Sequence, residues 1–225
     1  MAVGERWMSS LWPFVHEHLP GAPARVLEIG CGQYGGFVPR LRAAGYEATG
    51  VDPNAPAAAG YHPIGFQEFE PDGRYDAIVA SRALHHVSDL AAVLDRMEAA
   101  LRPGGALIVI EWEWERFDEP SARWCFERMD GADDEPYWLG RRRDGWAASG
   151  EPWDAYFPAW AAGHGLLPVG GILDELDARF DRRLRARGPY FFAELGVGEE
   201  AEQAAIDAGE VTATGVRYVA SLGGG

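Results

Sequence analysis

The first half of the chain alternates short apolar runs with amphipathic stretches. Each run is bounded by glycine, proline or charged residues and is typical of a strand buried on both faces. The predicted strands cover residues 25–29, 47–51, 61–66, 75–80 and 106–110, and Pro63 weakens the third of them. Residues 37–44 and 90–101 carry apolar positions at helical spacing. This alternation predicts an α/β fold with a Rossmann-like, doubly wound, mostly parallel sheet and helices on both faces.

The remaining segments predict a cap, an insertion and a final pair of strands. Residues 5–19 fit an amphipathic helix that Pro13 is able to break, so residues 1–20 are expected to form an N-terminal helical cap. Residues 112–152 predict a partly helical insertion, a lid over a substrate pocket. Further helices are expected at 153–164 and 173–180, and residues 182–192 and 211–222 predict two antiparallel strands. The whole chain, 1–225, is expected to be a single domain.

Composition narrows the class of partner. The 225 residues carry a formal net charge of −15, which argues against nucleic acid or an anionic membrane as the main partner. No stretch of about 18 uncharged apolar residues occurs, so we expect no membrane span and a cytoplasmic protein. Only Cys31 and Cys125 are present, and Cys31 lies in a glycine-rich turn, which favours a reducing interior without disulfides. The oligomeric state stays open.

The glycine-rich turn after the first strand is the main functional signal. Gly30-x-Gly32-x-x-Gly35 matches a dinucleotide fingerprint, because glycines let backbone N–H groups approach a ligand closely. Asp52 ends the second strand, where a carboxylate can accept hydrogen bonds from ribose hydroxyls. Glu28 precedes the turn and could brace its amides or meet a cationic ligand. Alone, this pattern is equally compatible with a nicotinamide or flavin cofactor.

Four motifs together resemble those of class I S-adenosylmethionine-dependent methyltransferases, in particular the small-molecule branch. They are Val26-Leu-Glu-Ile-Gly-Cys-Gly32, Val51-Asp52-Pro53, Leu84-His-His-Val87 and Leu101-Arg-Pro-Gly-Gly105. The resemblance covers roughly residues 25–111. It implies S-adenosyl-L-methionine as cofactor and an antiparallel strand near the end of the sheet.

The resemblance also implies which residues contact the cofactor. Asp52 should hold the ribose diol, Pro53 should flank the adenine, and Gln67 or Glu68 should lie near the adenine amino group. The turn and the end of the fourth strand should surround the methionine end, through Glu28, Gly30, Cys31, Gly32, Gln33, Tyr34, Ser81, Arg82 and Leu84. The family usually has a third glycine where this chain has Tyr34. A one-residue insertion, with Gly35 or Gly36 taking that role, accounts for the difference.

Two adjacent histidines follow the fourth strand and are candidates for a general base. An acceptor hydroxyl or amine must lose a proton, and imidazole titrates near neutral pH. Adjacent helical residues point about 100° apart, so at most one of His85 and His86 should face the cleft, and His85 is slightly favoured. The alternative is a histidine that packs at a helix start. Two neighbouring histidines do not define a metal site, so no metal is expected.

Aromatic residues follow the fifth strand and could form an acceptor pocket. Trp112, Trp114, Tyr137 and Trp138 are the candidates for substrate binding, and their alternative role is core packing. The sequence thus predicts methyl transfer from S-adenosylmethionine to a small, aromatic or amphipathic metabolite, with the acceptor atom (O, N or C) open. One alternative is a protein of this fold that binds the cofactor without methylating, as a binding protein or a rearrangement or cyclisation catalyst. A second is an NAD(P)-dependent oxidoreductase.

Overall fold

A seven-stranded sheet forms the centre of the molecule. The computed structural model describes residues 2–129 and 138–223. The strands are β1 (Arg25–Ile29), β2 (Glu47–Val51), β3 (Tyr61–His62), β4 (Tyr75–Ser81), β5 (Leu101–Trp112), β6 (Asp181–Gly188) and β7 (Gly215–Ser221). Their order across the sheet is β3-β2-β1-β4-β5-β7-β6.

The sheet is parallel except at β7. Strands β1 to β5 pair in parallel, whereas β7 runs antiparallel to both β5 and β6. The residues of β1 after Arg25 and most of β4 are buried on both faces, as expected for parallel strands covered by helices on each side. The predicted fold class is therefore confirmed, including the antiparallel strand at the carboxyl end and the antiparallel pairing of the last two strands.

Nine α-helices cover the sheet within the described ranges. They are α1 (Val3–His18), α2 (Val38–Ala43), α3 (Leu90–Ala100), α4 (Glu119–Glu127), α5 (Trp138–Ser149), α6 (Trp153–Gly163), α7 (Val169–Arg179), α8 (Phe192–Leu195) and α9 (Glu199–Asp207). Two of them begin at aspartate caps, because Asp89 and Asp118 accept hydrogen bonds from the N–H groups of Ala92 and Ser121. None of the described helices is both long and apolar enough to cross a membrane.

Several predicted boundaries were wrong, each for a local reason. Strand β3 stops at His62, because Pro63 lacks an N–H for the ladder. Helix α1 continues through Pro13, whose ring is exposed. Strand β5 begins at Leu101 rather than 106, and the register of β4 against β5 shifts across the intervening Pro-Gly-Gly. Strand β6 ends at Gly188, and the apolar residues beyond it form α8.

The region from 112 to 152 contains β5's last residue, a 3-10 turn (Trp114–Arg116), α4 and the whole of α5. Its predicted role as a lid stays a prediction. Helix α9 had no counterpart among the sequence expectations. Together with α8 it fills the connection between β6 and β7 and packs near α1.

Candidate functional site

The carboxyl ends of the parallel strands bring the predicted site residues to one edge of the sheet. Ile29 is in register with Val51 on one side and Ala80 on the other, and Ser81 is in register with Ile110. Gly30, Asp52, Arg82 and Glu111 follow these positions directly. In open α/β sheets, ligands bind beyond these strand ends, where the connections diverge to opposite sides.

The first glycine of the turn is required by both backbone conformation and space. Gly30 has φ +85° and donates its N–H to the carbonyl of Val51 at 2.9 Å. A Cβ there would lie 2.6 Å from the Cβ of Ala83 and 3.1 Å from the carbonyl oxygen of Ser81. Gly32 (φ +61°) instead faces open space, since no heavy atom lies within 4 Å of an added Cβ. The turn therefore packs tightly against β4 and leaves backbone accessible at Gly32, as cofactor binding requires.

Glu28 stabilises this turn through hydrogen bonds to the backbone that follows it. Its Oε2 accepts hydrogen bonds from the N–H groups of Phe37 and Val38 at 2.7 and 3.0 Å. Burial raises the pKa of Glu28 to about 8, against the opposing effect of those two donors. Gly36 (φ +56°) lies so close above that a Cβ would strike the carboxyl group. Of the two roles considered for Glu28, these contacts support bracing of the turn.

Gly35 and Gly36, the two candidates for the third glycine of the turn, are both constrained by backbone conformation and space. Gly35 also has positive φ (+83°), and an added Cβ would strike the ring of Tyr61. Gly35 and Gly36 therefore both carry constraints of the kind expected for the missing third glycine. Gln33 and Tyr34 lie exposed at the tip, and Tyr34 is 83% exposed. Their contact with the cofactor stays a prediction.

The remaining nucleoside candidates cluster beyond β2 and β3. Asp52 accepts the N–H of Asn54 on Oδ1 at 2.7 Å, which leaves Oδ2 for a ribose hydroxyl. Pro53 is exposed beside it, and the backbone of Asp52 pairs with His62 of β3. Gln67 and Glu68 follow β3 in an exposed 3-10 turn at the same edge. Contact of these residues with the nucleoside stays a prediction.

Cys31 is a packing residue of the turn. It is 4% exposed, and an added Cβ on Gly50 would lie 3.0 Å from its sulfur. Burial, then the charges of Glu28 and Asp52, raise the pKa of the thiol to about 12. The thiol is therefore neutral at physiological pH and unsuited to act as a nucleophile.

His85 and Glu111 form a buried pair between the ends of β4 and β5. The Nδ1 of His85 hydrogen-bonds Oε2 of Glu111, and the two residues are 4% and 0% exposed. Glu111 Oε1 also accepts the N–H groups of Ala83 and Leu84 at 3.0 and 2.7 Å. Burial alone would raise the pKa of Glu111, but His85 and the N–H groups of Leu84 and Trp112 lower it overall.

A charged Glu111 fixes the tautomer of its partner. A carboxylate only accepts hydrogen bonds, so Nδ1 of His85 carries the proton and Nε2 is left to exchange one. His86 lies on the exposed side of the same 3-10 turn, with its ring centroid 4.1 Å from that of His85. His85 is thus buried and His86 exposed, and which of them faces the cleft stays a prediction.

Ser81, Arg82 and Leu84, the candidates for contact with the methionine end, lie at or just after the end of β4, and their contact with the cofactor stays a prediction. Ser81 is buried, and its hydroxyl accepts the indole N–H of Trp7 at 3.4 Å. Leu84 is fully buried in the core. Arg82 has φ +53°, and its guanidinium carbon lies 4.6 Å from the centre of the Trp7 ring.

The tryptophans predicted to bind substrate occupy different environments. Trp112 is 4% exposed and stacks on Tyr190, with centroids 5.4 Å apart. Trp114 donates its indole N–H to the carbonyl of Leu167 at 2.9 Å and is 8% exposed. Both contacts support the packing alternative. Trp138 is half-buried, 5.0 Å from Trp112, and Tyr137 lies outside the described residues.

The connection between β6 and β7 supplies residues that the sequence analysis missed. Glu202 is 1% exposed and accepts the N–H groups of Tyr190 and Phe192 at 2.8 and 2.6 Å. Glu194 is partly buried beside Trp138 and Arg82. Their only sequence signal was the aromatic run 190–192 followed by a short acidic segment, and that run was predicted as strand.

Comparisons with known proteins agree with this geometry. Residues 5–162 match a family model described as a methyltransferase domain. The ubiquinone biosynthesis O-methyltransferase of Bradyrhizobium sp. (strain ORS 278) is 32% identical over 108 residues, which cover 41% of this chain and 42% of that protein. The match thus spans less than half the length of this curated relative.

Solved structures resemble nearly the whole chain. The N-methyltransferase NodS of Bradyrhizobium japonicum WM9, in complex with S-adenosyl-L-homocysteine, matches 98% of this chain and 85% of its own, with TM-score 0.53 and 14% identity. A geranyl diphosphate C-methyltransferase of Streptomyces coelicolor A3(2) matches 97% of this chain and 80% of its own, with TM-score 0.56 and 15% identity. At such identities the likeness shows the fold alone.

Proposed function

We propose a function from the premise that the chain belongs to the methyltransferase-domain family and is an S-adenosylmethionine-dependent methyltransferase. S-adenosylmethionine, its cofactor, supplies a methyl group activated on a positively charged sulfur. The acceptor that we propose is a hydroxyl oxygen of a small aromatic or amphipathic metabolite, methylated in the cytoplasm.

The buried His85–Glu111 pair is the observation that carries this proposal. A hydroxyl is a poor nucleophile until it loses its proton, and a histidine oriented by a carboxylate is suited to accept that proton. The pair lies between the ends of β4 and β5, next to the glycine turn. Relatives named as O-methyltransferases support the choice of oxygen.

The other residues at this edge of the sheet bind the cofactor and orient its methyl group toward the acceptor. The turn at Gly30 and the carboxylate of Asp52 hold the nucleoside, and Glu28 keeps the turn in place. Alignment of acceptor and methyl group within about 3–3.5 Å then supplies most of the rate enhancement. Nε2 of His85 accepts the acceptor proton, while Glu111 stabilises the positive charge that forms on the imidazole.

The two alternative hypotheses are not favoured. A nicotinamide-binding Rossmann sheet has the order 3-2-1-4-5-6, whereas this sheet inserts the antiparallel β7 between β5 and β6. A protein that only binds the cofactor has no need of a proton acceptor held by a buried carboxylate, and relatives named as O-methyltransferases favour methyl transfer over a rearrangement or cyclisation.

The test uses labelled S-adenosylmethionine with a panel of simple phenols that includes catechol. Replacing the base, as in His85→Ala, should lower kcat by about 10²-fold or more. The affinity for S-adenosylhomocysteine should stay within about twofold, since the ring does not bind the nucleoside. Glu111→Gln should also lower kcat, because it no longer attracts the positive charge on the ring.

The matched control is His164→Ala, an exposed histidine at the end of α6. It should retain wild-type kcat. Full activity of a folded His85→Ala variant would remove the proposed base. A loss seen in His86→Ala instead would transfer the role to the neighbouring histidine.

A further inference from the structure

A partly buried polar cluster lies beside the end of β4 and has no part in the proposed proton transfer. It consists of Arg82, Tyr190 and Glu194, and is called here the Arg82–Glu194 cluster. Arg82 directly follows β4, whereas Tyr190 and Glu194 belong to the connection between β6 and β7. The guanidinium of Arg82 donates a hydrogen bond to the phenol of Tyr190 and attracts the carboxyl group of Glu194.

Arg82 is held in an unfavourable backbone conformation. Among the residues that the structure describes, it is the one non-glycine residue with positive φ (+53°). Left-handed backbone is costly for a residue with a Cβ and tends to persist at functional sites. Its N–H bonds the carbonyl of Ile110 at 2.8 Å, and its guanidinium stacks on Trp7. These contacts fix the direction of the side chain.

Glu194 carries an unsatisfied hydrogen-bond acceptor. The indole N–H of Trp138 bonds its carboxyl group, but Oε2 is buried and has no partner among residues 2–129 and 138–223. Burial raises the pKa of Glu194, although Arg82, Trp138 and Arg6 oppose this. Buried polar atoms are nearly always paired, so this oxygen is available to a donor that a ligand brings.

Aromatic rings border this carboxyl group. Tyr190 packs between Trp7 and Trp112, with centroid distances of 5.2 and 5.4 Å, and Trp138 lies 5.0 Å from Trp112. A planar ligand would therefore meet ring faces and edges next to the free oxygen of Glu194. The terminal torsion of a glutamate is soft, so this oxygen can turn toward a donor at low cost.

We propose that the Arg82–Glu194 cluster is a specificity subsite that binds a second hydroxyl of the methyl acceptor, with Oε2 of Glu194 accepting its hydrogen bond. This proposal rests on the proposed function, because it places an acceptor molecule at this edge of the sheet. Arg82 already balances the charge of Glu194, which favours a neutral donor over an ammonium group. The acceptor class is then an aromatic compound with two hydroxyl groups, one methylated and one bound by Glu194.

The experiment compares two probes of nearly equal shape. Catechol has two adjacent hydroxyls, and 2-fluorophenol replaces one of them by fluorine, which donates no hydrogen bond. Affinities are measured by ligand-observed NMR for the wild-type protein saturated with S-adenosylhomocysteine. Catechol should bind about tenfold more tightly, the effect of one hydrogen bond to a charged acceptor.

Two substitutions at Glu194 test the assignment. Glu194→Met keeps an unbranched side chain without an acceptor, and should bring the ratio of the two affinities close to one. Glu194→Gln keeps shape and hydrogen bonding without charge, and should give an intermediate ratio. Glu200→Gln, an exposed glutamate of α9, is the matched control and should keep the wild-type ratio.

The outcomes separate the two proposals. A wild-type protein without preference for catechol, or an unchanged ratio in the folded Glu194 variants, would overturn the subsite. The proposed function would stand if that same protein still bound S-adenosylhomocysteine and methylated phenols. A wild-type protein that does not bind S-adenosylhomocysteine would instead overturn the proposed function, and the subsite with it.

Discussion

Two parts of the candidate site, at the same edge of the sheet, are built in different ways. The turn proposed to bind the cofactor (residues 30–36) is called here the cofactor edge, and the part proposed to bind the acceptor (Trp7, Arg82, Tyr190 and Glu194) is called here the acceptor edge. The turn at residues 30–36 is one contiguous segment, and its shape comes from backbone conformation and from glycines that nothing larger can replace. The acceptor edge instead gathers side chains from α1, the end of β4 and the connection between β6 and β7. The first is therefore sensitive to backbone changes, and the second to the chemistry of single side chains.

Both edges adjoin buried glutamates that accept backbone hydrogen bonds from a neighbouring loop. Glu28, Glu111 and Glu202 are each almost completely buried, and each accepts N–H groups from a loop at the site. Glu28 holds the glycine turn, Glu111 the turn after β4, and Glu202 the segment of Tyr190. Buried carboxyl groups are costly unless hydrogen-bonded, so each loop is held by the groups that satisfy its glutamate.

Gly30→Ala should have the largest effect, because it changes the backbone on which the cofactor edge depends. The added methyl group must occupy left-handed backbone, at a cost of about 1–2 kcal/mol, and would also press on Ala83. We expect the affinity for S-adenosylhomocysteine to fall about 100-fold or more, as measured by calorimetry.

The control for this substitution is Gly171→Ala in α7, where an added Cβ meets no heavy atom within 4 Å. Alanine favours helix more than glycine does, so this variant should be as stable as the wild type or slightly more so. Unimpaired cofactor binding by Gly30→Ala would show that the cofactor edge tolerates backbone change, which would remove the contrast between the edges.

Asp52→Ala should have a smaller effect, confined to cofactor binding. Loss of a charged acceptor for the ribose should weaken S-adenosylhomocysteine by about 1–3 kcal/mol in calorimetric titration. Asp52→Asn separates this role from the local turn, since its amide oxygen still accepts the N–H of Asn54. If both variants bound the nucleoside as tightly as the wild type, Asp52 would be only a strand-end residue.

The same contrast explains what could be predicted from the sequence. Strands β1, β2 and β4 and the turn between β1 and α2 were predictable because their signals are contiguous: apolar runs, glycines and a strand-end acid. Tyr190, Glu194 and Glu202 were not, since they reach the site only when β7 inserts between β5 and β6. Trp112 shows a different limit. An aromatic residue beside a site has the same sequence signal whether it packs in the core or binds a substrate.

The last expected effect concerns Glu202 and the pH dependence of stability. Burial raises the pKa of this carboxyl group to about 7, although the N–H groups of Tyr190, Phe191 and Phe192 oppose the rise. Its ordinary value is 4.5, so between these two pH values the unfolded chain has released a proton that the fold retains. Unfolding thus becomes more favourable as pH rises through this window, by at most about 3 kcal/mol.

The raised pKa of Glu28, about 8, also makes unfolding more favourable as pH rises, and over a wider pH range. The contribution of Glu202 is therefore measured as the difference between the pH dependence of Tm in the wild type and in a Glu202 variant. The Tm of the wild-type protein should fall from pH 5 to 8.5, and Glu202→Gln, which cannot ionise, should show a shallower fall whatever its absolute Tm. Glu200→Gln should retain the wild-type slope, because Glu200 is exposed. Equal slopes in all three proteins would mean that Glu202 ionises alike in the folded and unfolded chains, and that the segment of Tyr190 is held by packing alone.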